Sequence, residues 1–379
     1  MLRLNVRALP ASWIKTKASV AAAVNADGRL FLGAHAALNQ NGEVVGPDDA
    51  AAQASAALHA VERTLSSAGG SLADIARLTI YVVDPAHGEP VRREISRRLS
   101  GASPAIRTVV TAGLPLSQML VQLDAEAVLR REQSGGEDIF VPSADPPDPS
   151  ESHDPSVQAD GVLSHLRASL QAAGSGMDDV CKITVYISDR AHRSAVYPVI
   201  GKYFRGIHPV STGIIVPAFA RPGTLVDIDA QIVRKHRGQP HTRLRKYHSN
   251  AARYGTQQQP LDCDFCMAVC AGRRVILRGQ TGVDLDEVFR GRGDAVAQAR
   301  QAMENAAILL AEAGARLSDV TRVTVFVTDR AFLAGVSAAI LDRLEGATPA
   351  FTALVVKGLA SPELLMEVDI TAVIPGEGS

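Results

Sequence analysis

One twelve-residue phrase occurs three times in the chain and sets what it can fold into. It reads Ala-Asp-Ile-Ala-Arg-Leu-Thr-Ile-Tyr-Val-Val-Asp from Ala73 to Asp84 and Asp-Asp-Val-Cys-Lys-Ile-Thr-Val-Tyr-Ile-Ser-Asp from Asp178 to Asp189. It returns as Ser-Asp-Val-Thr-Arg-Val-Thr-Val-Phe-Val-Thr-Asp from Ser318 to Asp329. An Asp-bearing turn and one basic residue (Arg77, Lys182, Arg322) lead into a β-branched run, the composition of a strand covered on both faces. From Asp74, Asp179 and Asp319 it is 30 residues to Pro104, Pro209 and Pro349, and 20 more to Asp124, Asp229 and Asp369. Two constant spacings in three places describe one unit present three times. The units are expected at residues 1–131, 132–237 and 238–379.

Each unit reads as strand, strand, helix, strand, helix, strand, strand. In the first, Asp48 or Asp49 caps a helix whose Ala51, Ala54, Leu58, Val61 and Leu65 recur at helical spacing, and Ala68-Gly69-Gly70 ends it. The second unit is shorter by a hairpin: one strand, 138–141, stands where the first unit has two, and the Pro-, Ser- and acid-rich stretch 142–160 reads as loop. Helices on one face of a mixed sheet make an α+β layer. The other sheet face is apolar too, and three units can cover it by turning their sheets inward around a pseudo-threefold axis. The expected fold class is therefore α+β, three tandem units closing an intramolecular pseudo-trimer, monomeric or at most a dimer of such triangles.

A net charge of −1 gives no general attraction to nucleic acid or an anionic membrane. No apolar run approaches the roughly 20 residues that span a bilayer, and the N-terminus lacks a signal-like apolar segment, so a cytoplasmic protein without a membrane partner is expected. Six basic residues between 234 and 246 (Arg234, Lys235, Arg237, Arg243, Arg245, Lys246) read as a solvated linker, because no aromatic residue interleaves them. Cys263, Cys266 and Cys270 invite a metal reading. A strand over 265–269, however, puts Cys266 and Cys270 on one face about 13 Å apart, too far for one tetrahedral ion. Packed thiols are expected instead, with no metal and no cofactor.

With these residues in view, the chain resembles the Rid/YjgF proteins, reactive-intermediate deaminases once labelled endoribonucleases of the L-PSP type. The resemblance is carried by the segments Ala68–Tyr81, Ala173–Tyr186 and Ala313–Phe326, by Arg278-Gly279-Gln280, and by Pro104-Ala105, Pro209-Val210 and Pro349-Ala350. It covers almost the whole chain and implies three chorismate-mutase-like units arranged as the family's homotrimer, with ligand clefts between units. It also implies hydrolysis of small enamines or imines to a carbonyl compound and ammonia. In active members an Arg two residues after the Pro clamps the substrate carboxylate, a task for a planar bidentate fork. Here that position holds Ile106, Ser211 or Phe351, so the clamp is missing and turnover of amino-acid-derived imines is expected to be weak. Arg107 lies one residue further on, which in a strand points it to the opposite face. The family's water-positioning Glu is matched to Asp124, Asp229 and Asp369.

One subgroup of the family carries an early Arg-Gly-Gln-x-Gly-x-Asp-Leu-Asp motif and a late His-Pro-Val-Ser-Thr-Gly motif. The early one is retained in the third unit from Arg278 to Asp286, the late one in the second from His208 to Gly213. A composite site between units two and three is therefore expected. Asp229 would activate water, Ser211 and Thr212 would bond the substrate, and Arg278 or Gln280 would orient it. Asp124, Asp369, Arg107 and His35 are secondary candidates, His35 because an imidazole titrates near neutrality. The function read first is a diverged hydrolase or deaminase acting on a small imine, enamine or related intermediate. The alternatives are a non-catalytic small-molecule-binding module and a ring-amide hydrolase of the cyanuric acid hydrolase and barbiturase kind. That last class needs a Ser–Lys pair in every unit, and no lysine here is placed equivalently in all three.

Overall fold

The computed structural model describes residues 1–4, 7–8, 18–99, 101–129, 138–141, 152–235, 238–249, 261–344 and 346–376. The first unit runs β1 (Leu2–Leu4), β2 (Arg7–Ala8), β3 (Ser19–Val20), β4 (Ala23–Ala26), β5 (Arg29–Ala36), α1 (Ala50–Ser67), β6 (Ile75–Val82), α2 (Gly88–Arg98), β7 (Ala105–Val110) and β8 (Val121–Ala127). The second has β9 (Asp138–Ile139), α3 (Pro155–Ala172), β10 (Val180–Ile187), α4 (Arg193–Phe204), β11 (Val210–Ile215) and β12 (Val226–Val233). The third has β13 (Thr242–Leu244), β14 (Tyr247–Ser249), β15 (Cys263–Phe265), β16 (Ala268–Ala271), β17 (Arg274–Leu277), α5 (Ala295–Glu312), β18 (Val320–Val327), α6 (Arg330–Asp342), β19 (Ala350–Val355) and β20 (Met366–Val373).

Both aspartates of the repeated phrase are turn and helix caps. Asp74 and Asp319 each accept the backbone N–H three residues back, at 2.8 and 2.9 Å, closing the turn before the strand. At the far end Asp84, Asp189 and Asp329 each accept the N–H two residues on, which starts the next helix. The strand between them is central in its sheet, parallel to β7, β11 or β19 and antiparallel to β8, β12 or β20. Sheet orders are β1-β4-β5-β8-β6-β7, β11-β10-β12-β9 and β13-β16-β17-β20-β18-β19. The helices cover one face of each sheet and bury three separate apolar cores there.

The opposite faces meet around the pseudo-threefold axis. Tyr81, Tyr186 and Phe326 pack together there with Val109, Ile214 and Leu354. Below this layer the basic residue of each phrase reaches the last strand of another unit. Arg77 pairs with Asp229, Lys182 Nζ lies 2.7 Å from Asp369, and Arg322 lies 2.9 Å from Asp124 and 2.7 Å from Glu126. The contacts run one to two, two to three and three to one, so three ion pairs close the triangle. Burial alone would raise the Glu126 pKa, but Arg322, Arg29, Arg77 and Arg274 together bring it down to about 2.

Three local expectations are corrected. Residues 155–160 are helix rather than loop, because Asp154 accepts from Ser156 N and Pro155 suits a first helical turn; residues 142–151 lie outside the described ones. The strand expected over 265–269 is broken between β15 and β16, and burial pushes the Cys181, Cys263 and Cys266 thiols up to about 12. The basic linker is partly an edge strand: β13 pairs with β16, and Arg243 donates to the carbonyls of His208, Asp178 and Val180.

Candidate functional site

The three seams between units are built alike and filled differently. At the three–one seam the edge strand β19 meets the first unit through Ala21 N–H donating to Pro349 O, and a Cβ at Gly33 would come within 2.9 Å of Phe351 O. Phe351 and Leu333 belong to the third unit's helix-side core, which Val20 of the first unit joins across this seam. At the two–three seam Cys266 N–H donates to Pro209 O and Gly279 N–H donates to Ser211 O at 3.2 Å. Smaller residues stand here than at the three–one seam: Ser211 at the place of Phe351, and Gly213 at the place of Ala353. On the second-unit side of the one–two seam the described residues include β9 but no hairpin, and Ile106, Arg107 and residues 139–141, with Arg274, Arg322 and Thr371 of the third unit, line a pocket of only about 30 Å³.

The two motifs meet through their main chains, with Gly279, between Arg278 and Gln280, paired to Ser211. Arg278, Gly279, Gln280, Thr281, Met267 and Arg245 line a neighbouring pocket of about 200 Å³ whose walls all come from the third unit; Ser211, Thr212 and Glu367 do not line it. A single water needs only about 10–15 Å³ on this measure, so there is room for a small organic molecule. Gln280 is held by Nε2 donating to Arg278 O at 2.7 Å, and its main chain pairs with Val368 on the last strand.

Asp229 is not part of this place. It is bound by Arg77 and lies 3.3 Å from Arg107 Nε, facing the first unit. Asp369 and Asp124 are likewise held by Lys182 and Arg322, and each accepts a threonine hydroxyl, Thr212 at 2.5 Å and Thr352 at 3.3 Å. Arg107 pairs with Asp227 and Asp229 as an inter-unit tie. His35 turns toward α1, with Nδ1 2.7 Å from Gly33 O and Nε2 2.9 Å from Thr64 Oγ1.

The carboxyl group that does reach the two–three seam is Glu367, two residues before Asp369 and so on the same strand face. It is 5% exposed, and a Cβ at Gly279 would run into its carboxylate and pass 2.8 Å from Thr212 Oγ1. Burial pushes its pKa up to about 8 and Asp369 adds to this, against the pull of Arg278, Lys182 and Arg193. The equivalent positions, opposite Tyr81 and Tyr186, hold Gln122 and Asp227. A second residue unforeseen from sequence is Arg193, 8% exposed at the start of α4, with Nη1 donating to Tyr197 OH at 3.0 Å. A Cβ at Gly213 would lie 2.9 Å from that Nη1 and 2.7 Å from the Tyr197 hydroxyl.

The sequence profile described as Endoribonuclease L-PSP matches residues 12–129, 141–233 and 257–374, one copy per unit. The chain belongs to this endoribonuclease L-PSP, or Rid/YjgF, family. Among curated Rid/YjgF relatives, protein DfrA of Myxococcus xanthus is 36% identical over 74 residues, 20% of this chain and 56% of its own length. A RutC family protein of Synechocystis sp. is 36% identical over 77 residues, 20% of this chain and 59% of its own. The chain therefore spans between half and two thirds of the length of these relatives. A crystal structure described as chorismatase aligns with a TM-score of 0.55 and 14% identity, covering 79% of this chain and 93% of that one, a likeness of fold. Among the described residues no helix is long and apolar enough to cross a membrane.

Proposed function

We propose that the two–three seam of this Rid/YjgF chain hydrolyses a small imine or enamine, with Glu367 as its acid–base group. One observation carries this: a buried carboxyl with a pKa near 8, packed against Gly279 and Thr212 where the two family motifs touch. At neutral pH such a group is largely the acid. It can protonate an imine nitrogen, and as carboxylate it can then take a proton from the water that adds to the electrophilic carbon. The carbinolamine collapses when Glu367 returns that proton to nitrogen and then, as carboxylate, takes the hydroxyl proton: the C–N bond breaks as the C=O forms, and imine plus water gives carbonyl compound plus ammonia. An enamine enters after tautomerising to its imine. Thr212 and the main chain of Gly279 orient the reacting group, and Arg278 and Gln280 shape the pocket wall.

The other two seams serve as structure in this reading, closed by Phe351 on one side and by the Arg107 pairs on the other. Imine formed in situ by an amino-acid oxidase, with semicarbazide trapping what survives, supplies the test. Wild-type protein should lower the trapped fraction, and Glu367→Gln should slow that loss about 10²- to 10⁴-fold. A Glu367→Gln variant as active as wild type sinks the proposal. The family arginine is absent from all three units, which favours a second reading, binding without turnover. Wild-type protein that binds the carbonyl product yet leaves the trapped fraction unchanged would establish it.

A further inference from the structure

We propose that a cavity on the pseudo-threefold axis is a halide site, in which one chloride-sized anion ties the three units together from within. The site is separate from the two–three seam and does not rest on the reading of Glu367.

A strand turns every second residue to the same face, so β6, β10 and β18 each send three side chains toward the axis. Below the layer of Tyr81, Tyr186 and Phe326 stand Thr79, Thr184 and Thr324, and below these Arg77, Lys182 and Arg322. All of them line one cavity of about 40 Å³, and this threefold set of equivalent positions places it on the axis. One water takes about 10–15 Å³ on this measure, so a single halide fits together with a water, whereas a phosphate does not.

The cavity wall offers more donors than acceptors. Thr79 is 3% exposed, Thr184 and Thr324 7%. Among the described residues neither their hydroxyls nor that of Tyr186 has a hydrogen-bond partner. The carboxylates are already engaged, Asp229 by Arg77 and Arg107, Asp369 by Lys182 and Thr212. Three cations therefore face two carboxylates across the cavity. The third acid of the ring, Asp124, is not part of the wall and holds Tyr81 and Thr352 besides Arg322. The cations crowd one another: burial lowers the Arg77 pKa first, and Arg322 and Arg107 lower it further, against the pull of Glu126. Buried donors without acceptors are costly in a medium of low dielectric, and an anion among them satisfies hydroxyls and cations together.

A way in has the same character. The pocket of about 30 Å³ at the one–two seam shares Arg77, Arg322 and Gln231 with the axial cavity, so the two adjoin. Around it Arg29, Arg77, Arg107, Arg274 and Arg322 face Glu126, Asp138 and Asp229, and the buried Arg274 Nε has no partner among the described residues. An anion thus approaches the threonines past arginines, while the apolar layer around Tyr81, Tyr186 and Phe326 closes the other end.

Thermal unfolding of the whole chain at constant ionic strength, with chloride or bromide replacing gluconate, tests the site. Tm is expected to rise with either halide along a saturating curve, as binding to the folded state alone requires. Thr324→Val keeps the side-chain shape and removes one donor, and should raise the half-saturating concentration about 10-fold. Thr184→Val should do the same and replaces it if the first variant does not fold. Crystals soaked in bromide should show one anomalous peak among the three threonine hydroxyls. The proposal is overturned by a Tm equal in chloride and gluconate, or by a halide effect with the same half-saturation in wild type and variant. A bromide-soaked crystal without that axial peak also overturns it, since water alone then fills the cavity.

Discussion

Replacing Glu367 with glutamine should stabilise the protein, and by an amount that depends on pH. The carboxyl is 5% exposed and its pKa stands at about 8 in the folded chain against 4.5 as reference. The folded state therefore binds this proton more tightly than the unfolded state does. Between those two values the native protein keeps the proton and the unfolded chain releases it, so stability falls as pH rises and levels off above about 8. At pH 7 the accumulated penalty is about 3 kcal/mol, at about 1.4 kcal/mol per pH unit above the reference. Glutamine has the same shape and no ionisation. Urea unfolding of the two proteins, compared at equal pH so that other titrations cancel, should show near-equal stability at pH 5 and the variant ahead by about 3 kcal/mol at pH 7. A difference that stays constant with pH, or a wild-type advantage that grows toward pH 8, would refute the assignment of a raised pKa and remove the basis for acid–base chemistry here.

Breaking one of the axial ion pairs should act in the opposite direction. Arg322→Ala leaves Asp124 buried without its ion-pair partner, and Glu126 with Arg29 alone at ion-pair distance, and should cost about 3–5 kcal/mol in urea unfolding, whereas Arg322→Met with Asp124→Leu should cost clearly less. Gly279→Ala drives a methyl group into the Glu367 carboxylate and should abolish ligand binding at the seam, measured by calorimetry, while Gly69→Ala, in open space on the surface though strained by its positive φ, should leave binding intact. With their pKa values at about 12, Cys181, Cys263 and Cys266 should resist a thiol reagent at pH 8 until the chain unfolds; rapid modification of all three in native protein would contradict the packing described. Light scattering should give the mass of one chain, 40.0 kDa, or of two, and a threefold assembly of full-length chains would contradict closure within the chain.

The fold was legible because its signals are local and recur three times. The phrase carries its own caps, Asp74 before the strand and Asp84 after it, and α1 begins one residue after Asp49, within the predicted range. The site was less legible, for a reason that the repeats themselves explain. Positions constant in all three units turned out to hold the units together: the basic residues at 77, 182 and 322 bind the aspartates at 229, 369 and 124. These partners come from different units, and no spacing rule within a unit reveals them. Gln53, Gln158 and Gln298 behave the same way, each accepting the N–H of Leu120, Leu225 or Leu365 in its own unit. Glu367 and Arg193 instead sit where the units disagree, opposite Gln122 and Asp227 in one case and Gly88 and Leu333 in the other. Constancy among the units tracked closure, and the singular residues gathered at one seam. A search of the sequence for charged residues found in only one of three aligned units would have pointed to Arg193 but not to Glu367, because Asp227 makes that position acidic in the second unit too.

The central claim is that one seam of three is competent. Calorimetric titration of the whole chain with 2-oxobutanoate measures it directly. One molecule bound per chain, lost in Gly279→Ala and kept when Phe351→Ser opens the three–one seam, is the predicted result. Two or three molecules bound by wild-type protein, or one whose binding survives Gly279→Ala, would contradict it.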